Sequence, residues 1–206
     1  MQTPQFPVPN AQPQGFPVPG SQPPPYQEQQ HQTPPLSGFR IPLSTDAQLP
    51  SPQQLGQPVC YDADGRSPVF LGSAIFPNSV HPCKICPHLA PPCRVPYGGG
   101  EHDHHGRYDL LPFDPNTMEW VPTGHGRVPQ GRRPVEGGYE QGGGKLYHAL
   151  ALIDGVRVPG KTGEHLVCIY RAAHAIETDG WVALQGGANV AFGGGEHVVH
   201  EQYSIL

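Results

Sequence analysis

The segment Pro96-Tyr97-Gly98-Gly99-Gly100-Glu101-His102 returns near the end of the chain as Ala191-Phe192-Gly193-Gly194-Gly195-Glu196-His197. An aromatic residue, three glycines, Glu and His recur in the same order. Each copy leads into a short apolar run, Arg107–Leu111 after the first and Gln202–Leu206 after the second. A repeated heptad of this specificity implies internal duplication, which constrains the fold more than any single segment does. Three glycines permit positive φ and close backbone approach, so each heptad is expected to form a tight turn or bulge between strands. In that reading Glu101 and Glu196 brace the turn rather than touch a ligand.

Laid over one another, the two halves agree well beyond the heptads. Tyr61-Asp62 aligns with Tyr139-Glu140, Pro82-Cys83-Lys84 with Pro159-Gly160-Lys161, and His88-Leu89 with His165-Leu166. The acid precedes the lysine by 22 positions in the first half and by 21 in the second. Between them lie short apolar runs bounded by Gly, Pro and Asp, notably Pro68–Phe76, Arg94–Tyr97, Arg107–Phe113, Leu146–Leu152 and Asn189–Phe192. That spacing predicts an all-β fold of antiparallel strands, sandwich-like, built from two tandem repeats related by a pseudo-twofold axis. Repeat 1 is placed at residues 39–117 and repeat 2 at 118–206. Only Ile169–Leu184 offers a candidate helix. Residues 1–38 stand apart: Pro and Gln fill 20 of these 38 positions. Proline fixes φ and removes amide donors, so this tail is expected to be disordered, a solubilising extension or a ligand for a proline-binding domain.

The formal net charge of -5 gives no basis for a nucleic-acid or anionic-membrane partner. No run approaches the ~20 apolar residues that a membrane helix requires. The N-terminus lacks a basic region followed by an apolar core, so no signal peptide is expected. Five cysteines, an odd number, then point to free thiols in a reducing, cytoplasmic setting.

The pattern Trp120-Val121-Pro122, Val128-Pro129, Gly138-Tyr139-Glu140, Leu146-Tyr147, Val158-Pro159-Gly160-Lys161, the second Gly-Gly-Gly-Glu-His heptad and Tyr203-Ser204-Ile205-Leu206 resembles the DM-nine repeat family, whose repeats also occur in natterin-like proteins. The resemblance covers both halves and leaves out only the tail. It implies a tandem all-β protein acting as a mannose-type lectin in innate recognition, without catalysis. By position it implies sugar-binding roles for Asp62 with Lys84 in the first repeat and for Glu140 with Lys161 in the second. Mannose-type glycans are then the expected partners, no cofactor is expected, and a homodimer is admissible. The chemistry stands on its own: a carboxylate accepts from two sugar hydroxyls while an ammonium donates to a third. The alternative is an interaction scaffold on the same fold without a sugar site.

Other chemistries find less support. Cys83, Cys86 and Cys93 with nearby histidines have the ligand types of a zinc site, but the second half carries Gly160, Gly163 and Ala188 there, so no metal is expected. There is no Gly-x-Ser-x-Gly elbow, phosphate loop or His-Glu-x-x-His, and an enzyme is not expected. No long amphipathic module follows the repeats, as a pore-forming relative would need.

The halves disagree at one place. Between His88 and Gly98 lie nine residues; between His165 and Gly193 lie 27. Removing Val167–Gln185 restores the shorter spacing to within one residue. Val-Cys codons can read as an intron donor and a Gln codon as an acceptor, so this in-frame segment is read as a retained short intron, or else as a genuine loop insertion. If translated, it is expected to protrude or to displace the last strands, weakening the Lys161 site and sparing Lys84.

Overall fold

The computed structural model describes residues 35–166, 168–171, 181–184 and 186–206. The first half contributes β1 (Ile41–Ser44), a single helical turn α1 (Pro52–Leu55), β2 (Cys60–Tyr61), β3 (Pro68–Ile75), β4 (Val80–Ile85), β5 (Cys93–Tyr97), β6 (Gly100–Asp103) and β7 (Arg107–Leu111). The second half contributes β8 (Val121–Thr123), β9 (Glu136–Tyr139), β10 (Lys145–Ile153), β11 (Val156–Thr162), β12 (Cys168–Arg171), β13 (Trp181–Leu184), β14 (Ala188–Phe192), β15 (Gly195–Val199) and β16 (Tyr203–Ile205). The fold is all-β. Among the described residues no helix is long and apolar enough to cross a membrane.

Fourteen strands form one antiparallel sheet in the order β1-β7-β3-β4-β5-β6-β15-β14-β11-β10-β16-β8. β2 joins beside β3, and β9 pairs with both β10 and β4. Read inward from either end, the strands of each half come in the same order along the chain. The meeting point is the bridge between Gly100 and Gly195. A second seam, Val80 against Tyr139, brings β9 onto β4. The pairings β4-β5-β6-β15-β14-β11-β10-β9 therefore return to β4 and close a barrel-like ring, where a sandwich-like pair of layers was expected. The closure depends on Gly138, because a Cβ there would run into the Val80 carbonyl.

Each half buries its own apolar cluster by strand alternation. Phe70, Ile85, Val95, Tyr108 and Leu110 pack together in the first. Ala149, Val158, Val190 and Tyr203 do so in the second. Fully burying a Val, Leu, Ile or Phe side chain contributes about 1.5–3 kcal/mol. A third cluster, Leu71, Leu111 and Leu206, packs near Trp120 and Val135 and ties the C-terminus into both halves. The segment before β1 is also held: Arg40 donates to the Ser37 carbonyl, the Ser73 hydroxyl and the Glu136 carbonyl, each at 2.8 Å.

The expected helix over Ile169–Leu184 is not found where the chain is described. Among the described residues, Cys168–Arg171 and Trp181–Leu184 are strands paired with each other, in register Cys168↔Leu184. Ile169, Tyr170, Trp181 and Val182 are β-branched or aromatic, the types that a pleated strand accommodates best. The last strands are not displaced: β14 pairs with β11 through Lys161↔Asn189, and β16 pairs with β10.

Candidate functional site

Lys84 and Lys161 occupy equivalent positions on β4 and β11. Lys84 lies opposite Leu71 on β3, and Lys161 lies opposite His148 on β10. Both are almost wholly buried, at 5% and 4% exposure. A buried ammonium must find acceptors or lose its charge, so what surrounds each lysine decides what it can do.

The two glycine heptads supply the acceptors. Gly98 and Gly99 have positive φ, as do Gly193 and Gly194, which makes each pair the centre of a two-residue hairpin turn. The two hairpins meet head to head. The Glu101 amide donates to the Gly194 carbonyl and the Glu196 amide to the Gly99 carbonyl, both at 3.1 Å. The side chains repeat the exchange: the Gly194 amide donates to Glu101 Oε2 at 2.9 Å and the Gly99 amide to Glu196 Oε2 at 2.7 Å. This fixes both carboxylates and leaves Oε1 of each pointing toward a lysine. The aromatic residues of the turns cross over, so that Lys84 Nζ lies 5.9 Å from the Phe192 ring and Lys161 Nζ lies 5.4 Å from the Tyr97 ring.

Within this shared frame the two lysines differ. Lys84 Nζ makes a contact ion pair with Glu101 Oε1 at 2.8 Å. Lys161 Nζ stands 3.8 Å from Glu196 Oε1 and 3.9 Å from Glu140 Oε1, too far to hydrogen-bond either. Its nearest polar partner is His81 Nδ1 at 3.5 Å. Burial lowers the Lys161 pKa below the ordinary lysine value, and Glu196 and Glu140 partly restore it. Burial, with Lys161 adding to it, pushes the His81 imidazole down to about 4, so it is neutral at physiological pH.

Of the four site residues read from the sequence, the structure brings Glu140 and Lys161 to the same point and does not pair Asp62 with Lys84. Asp62 instead takes His88 Nε2 at 3.0 Å. Glu140 is one methylene longer than Asp62. Sequence reasoning assigned Glu101 and Glu196 to the turns alone; they brace the turns and also face the lysines. His81, Tyr97 and Phe192 were not anticipated as lysine neighbours, although the aromatic position of the repeated heptad was the available signal. No group of three His, Cys, Asp or Glu among the described residues could hold a metal ion. A cavity of about 750 Å³ lies elsewhere, lined among others by Phe113, Trp120, Arg132 and Leu206. Its Arg132 is paired with Glu119 at 2.6 Å, and Arg133 also lines it.

A family model described as DM9 repeat matches residues 62–179, more than half of the chain. That span carries Asp62, Lys84, Glu101, Glu140 and Lys161. Among curated proteins nothing matches.

Proposed function

The chain belongs to the DM9 repeat family, and from that premise we propose that it is a non-catalytic carbohydrate-binding module for mannose-type glycans, with its open site at Lys161. One observation carries this reading: a buried ammonium with two carboxylates held just out of reach, at 3.8 and 3.9 Å. A sugar hydroxyl is both donor and acceptor. Placed in that gap, it accepts from Lys161 Nζ and donates to Glu196 or Glu140, making the short contacts that the lysine and the carboxylates do not make with one another. Tyr97, 48% exposed, offers a ring face beside the same point. Hydrogen bonds to charged groups contribute about 1.5–3 kcal/mol each when made, so a single site supports weak binding, and strength comes from multivalent ligands.

The two halves are read as a tandem pair about a pseudo-twofold axis. The mirrored strand order supports this, as do the equivalent registers of Lys84 and Lys161 and the reciprocal exchange between the glycine turns. In the first site the Lys84–Glu101 contact already occupies the lysine, so Lys84 contributes less to binding than Lys161. A mannan pull-down with Lys161→Ala and Lys84→Ala tests the proposal. Binding lost with the first substitution and largely kept with the second is expected. A folded sample that binds no glycan on an array would turn the reading to an interaction scaffold.

A further inference from the structure

We propose that His81 is a positioning residue that holds the Lys161 ammonium away from Glu196 and so keeps the second-half site open. This rests on the reading of Lys161 as the ligand-binding lysine, and it deepens that reading by naming what makes the two sites unlike.

The comparison is internal to the molecule. Ala74 lies opposite His81 and Ala151 opposite Val158, three residues before Lys84 and Lys161 respectively. By register Val158 is the counterpart of His81. By the same logic Tyr97, opposite Gly100, is equivalent to Phe192, opposite Gly195. The backbone frame and the glycine turns are common to both sites. Yet Lys84 closes onto its glutamate at 2.8 Å and Lys161 stops at 3.8 Å. Val158 has no acceptor to offer an ammonium. His81 has one, and the molecule aims it: Nε2 lies 3.0 Å from Ser79 Oγ, and the ring is boxed edge-on by Phe76 and Tyr97 at 5.4 and 5.1 Å. With Nε2–H donating to Ser79, the Nδ1 lone pair faces Lys161 Nζ. The groups around that ammonium are then His81 from β4, Tyr97 from β5, Glu196 from β15 and Glu140 from the turn after β9. Glu140 is the competing cause of the open geometry, since Asp62 in the first site does not reach its lysine.

The chain has three lysines, Lys84, Lys145 and Lys161, so the ¹³Cε signals of lysine-labelled full-length protein can be assigned with two variants, Lys161→Arg and Lys145→Arg. His81→Val copies the first site. It is expected to let Lys161 close onto Glu196 and to raise its titration midpoint by about one pH unit, the effect of an opposite charge moving into contact. His81→Asn keeps an acceptor near the Nδ1 position and is expected to leave the midpoint as in the parent. Mannan binding should fall at least tenfold with Val and be rescued by Asn. Val158→His gives the reciprocal test at the first site: the Lys84 midpoint should fall. A His81→Val midpoint that stays or drops overturns the proposal, as does closure produced by Glu140→Asp instead. If the titrations behave as expected while the parent protein binds no glycan, the positioning role stands and the carbohydrate reading falls.

Discussion

The Glu196 carboxylate accepts a hydrogen bond from the Gly99 backbone amide at 2.7 Å, across 97 positions of sequence. Glu101 and Gly194 return the same contact at 2.9 Å. Each glutamate therefore does two jobs. It locks the opposite hairpin in place and presents its second oxygen to a buried lysine of its own half.

The two glutamates should not be equally costly to remove. Glu101→Ala strips Lys84 of its contact partner at 2.8 Å inside the protein. Breaking one side of a buried ion pair costs about 3–5 kcal/mol. Glu196→Ala removes a charge-assisted hydrogen bond to Gly99 but leaves Glu140 near Lys161, which corresponds to about 1.5–3 kcal/mol. Urea unfolding of both variants should rank Glu101→Ala as the more destabilised.

That interlock also marks where sequence reading stops. In the strand registers Cys83 lies opposite Gly72 and Gly160 opposite Ala149, each one residue before a lysine, and Lys84 and Lys161 pair with Arg94 and Asn189, each one residue after Cys93 and Ala188. Strands that are continuous apolar runs buried on both faces, such as Pro68–Ile75 and Lys145–Ile153, are legible in the sequence. β4 and β11 are harder to see because Pro82 and Pro159 interrupt them, and a proline inside a run argues against a strand. The sequence pairs Glu140 with Lys161, but that Glu101 and Glu196 also face the lysines is not legible in it. Which carboxylates reach each lysine is set by contact between two turns nearly a hundred residues apart, and by one methylene that separates Glu140 from Asp62. No local pattern encodes either.

Acid should destabilise the fold through two buried histidines. Arg40 Nη2 lies 2.9 Å from His148 Nε2, so that nitrogen accepts, and Nδ1–H is left buried without a partner. Burial, then the Arg40 charge, holds the His148 pKa well below the ordinary value; His81 is down at about 4. Both are neutral in the folded state, while in the unfolded chain they titrate near 6.5. Below pH 6.5 the unfolded state binds protons that the folded state does not, so stability is present above that pH and falls as pH falls. The expected loss between pH 7 and pH 5 is about 2 kcal/mol for each histidine. His148→Gln, which can still accept from Arg40, should roughly halve that slope in urea titrations. An unchanged slope would show that His148 does not titrate this way.

Glycine matters at the β9 seam and not in the neighbouring turn. At Gly138 a Cβ would meet the Val80 backbone carbonyl, which cannot step aside without opening the ring. Gly138→Ala is expected to cost about 3 kcal/mol or more, in the range of overpacked or strained positions. Gly142, four residues on, has nothing within 4 Å of a Cβ. Gly142→Ala should fall within about 0.5 kcal/mol of the parent. Thermal unfolding of the two variants side by side checks the contrast.

Cys60, Cys83, Cys86 and Cys93 are all buried as free thiols, and Cys83 and Cys93 lie with Sγ atoms 3.3 Å apart. Burial pushes Cys60 and Cys86 up to about 12 and raises Cys83 as well. Since the thiolate is the reactive form, pulsed alkylation followed by mass spectrometry should find these three unmodified until the protein unfolds. Rapid labelling of the native protein at any of them would contradict the packing described for the first half.

The last prediction concerns the segment that the first half lacks. Leu166 and Gly186 flank it, and they are neighbours in space: a Cβ on Gly186 would touch the Leu166 carbonyl oxygen and lie 3.3 Å from its carbonyl carbon. The chain thus leaves and re-enters the fold at almost the same point, and β14 to β16 take their places in the sheet beyond it. Deleting 167–185 joins two ends that already meet. Closing a loop of this length costs conformational entropy that grows only slowly with length, so its removal should leave stability equal or raise it by about 1 kcal/mol. Lys161 sits on β11 before the segment, with its partners Glu140, Glu196 and His81 all outside it. The deletion variant should therefore fold, keep the Lys161 titration of the full chain and retain its mannan binding. A deletion that unfolds the protein would mean that the segment supplies contacts the second half requires, and would favour a genuine loop over a retained intron.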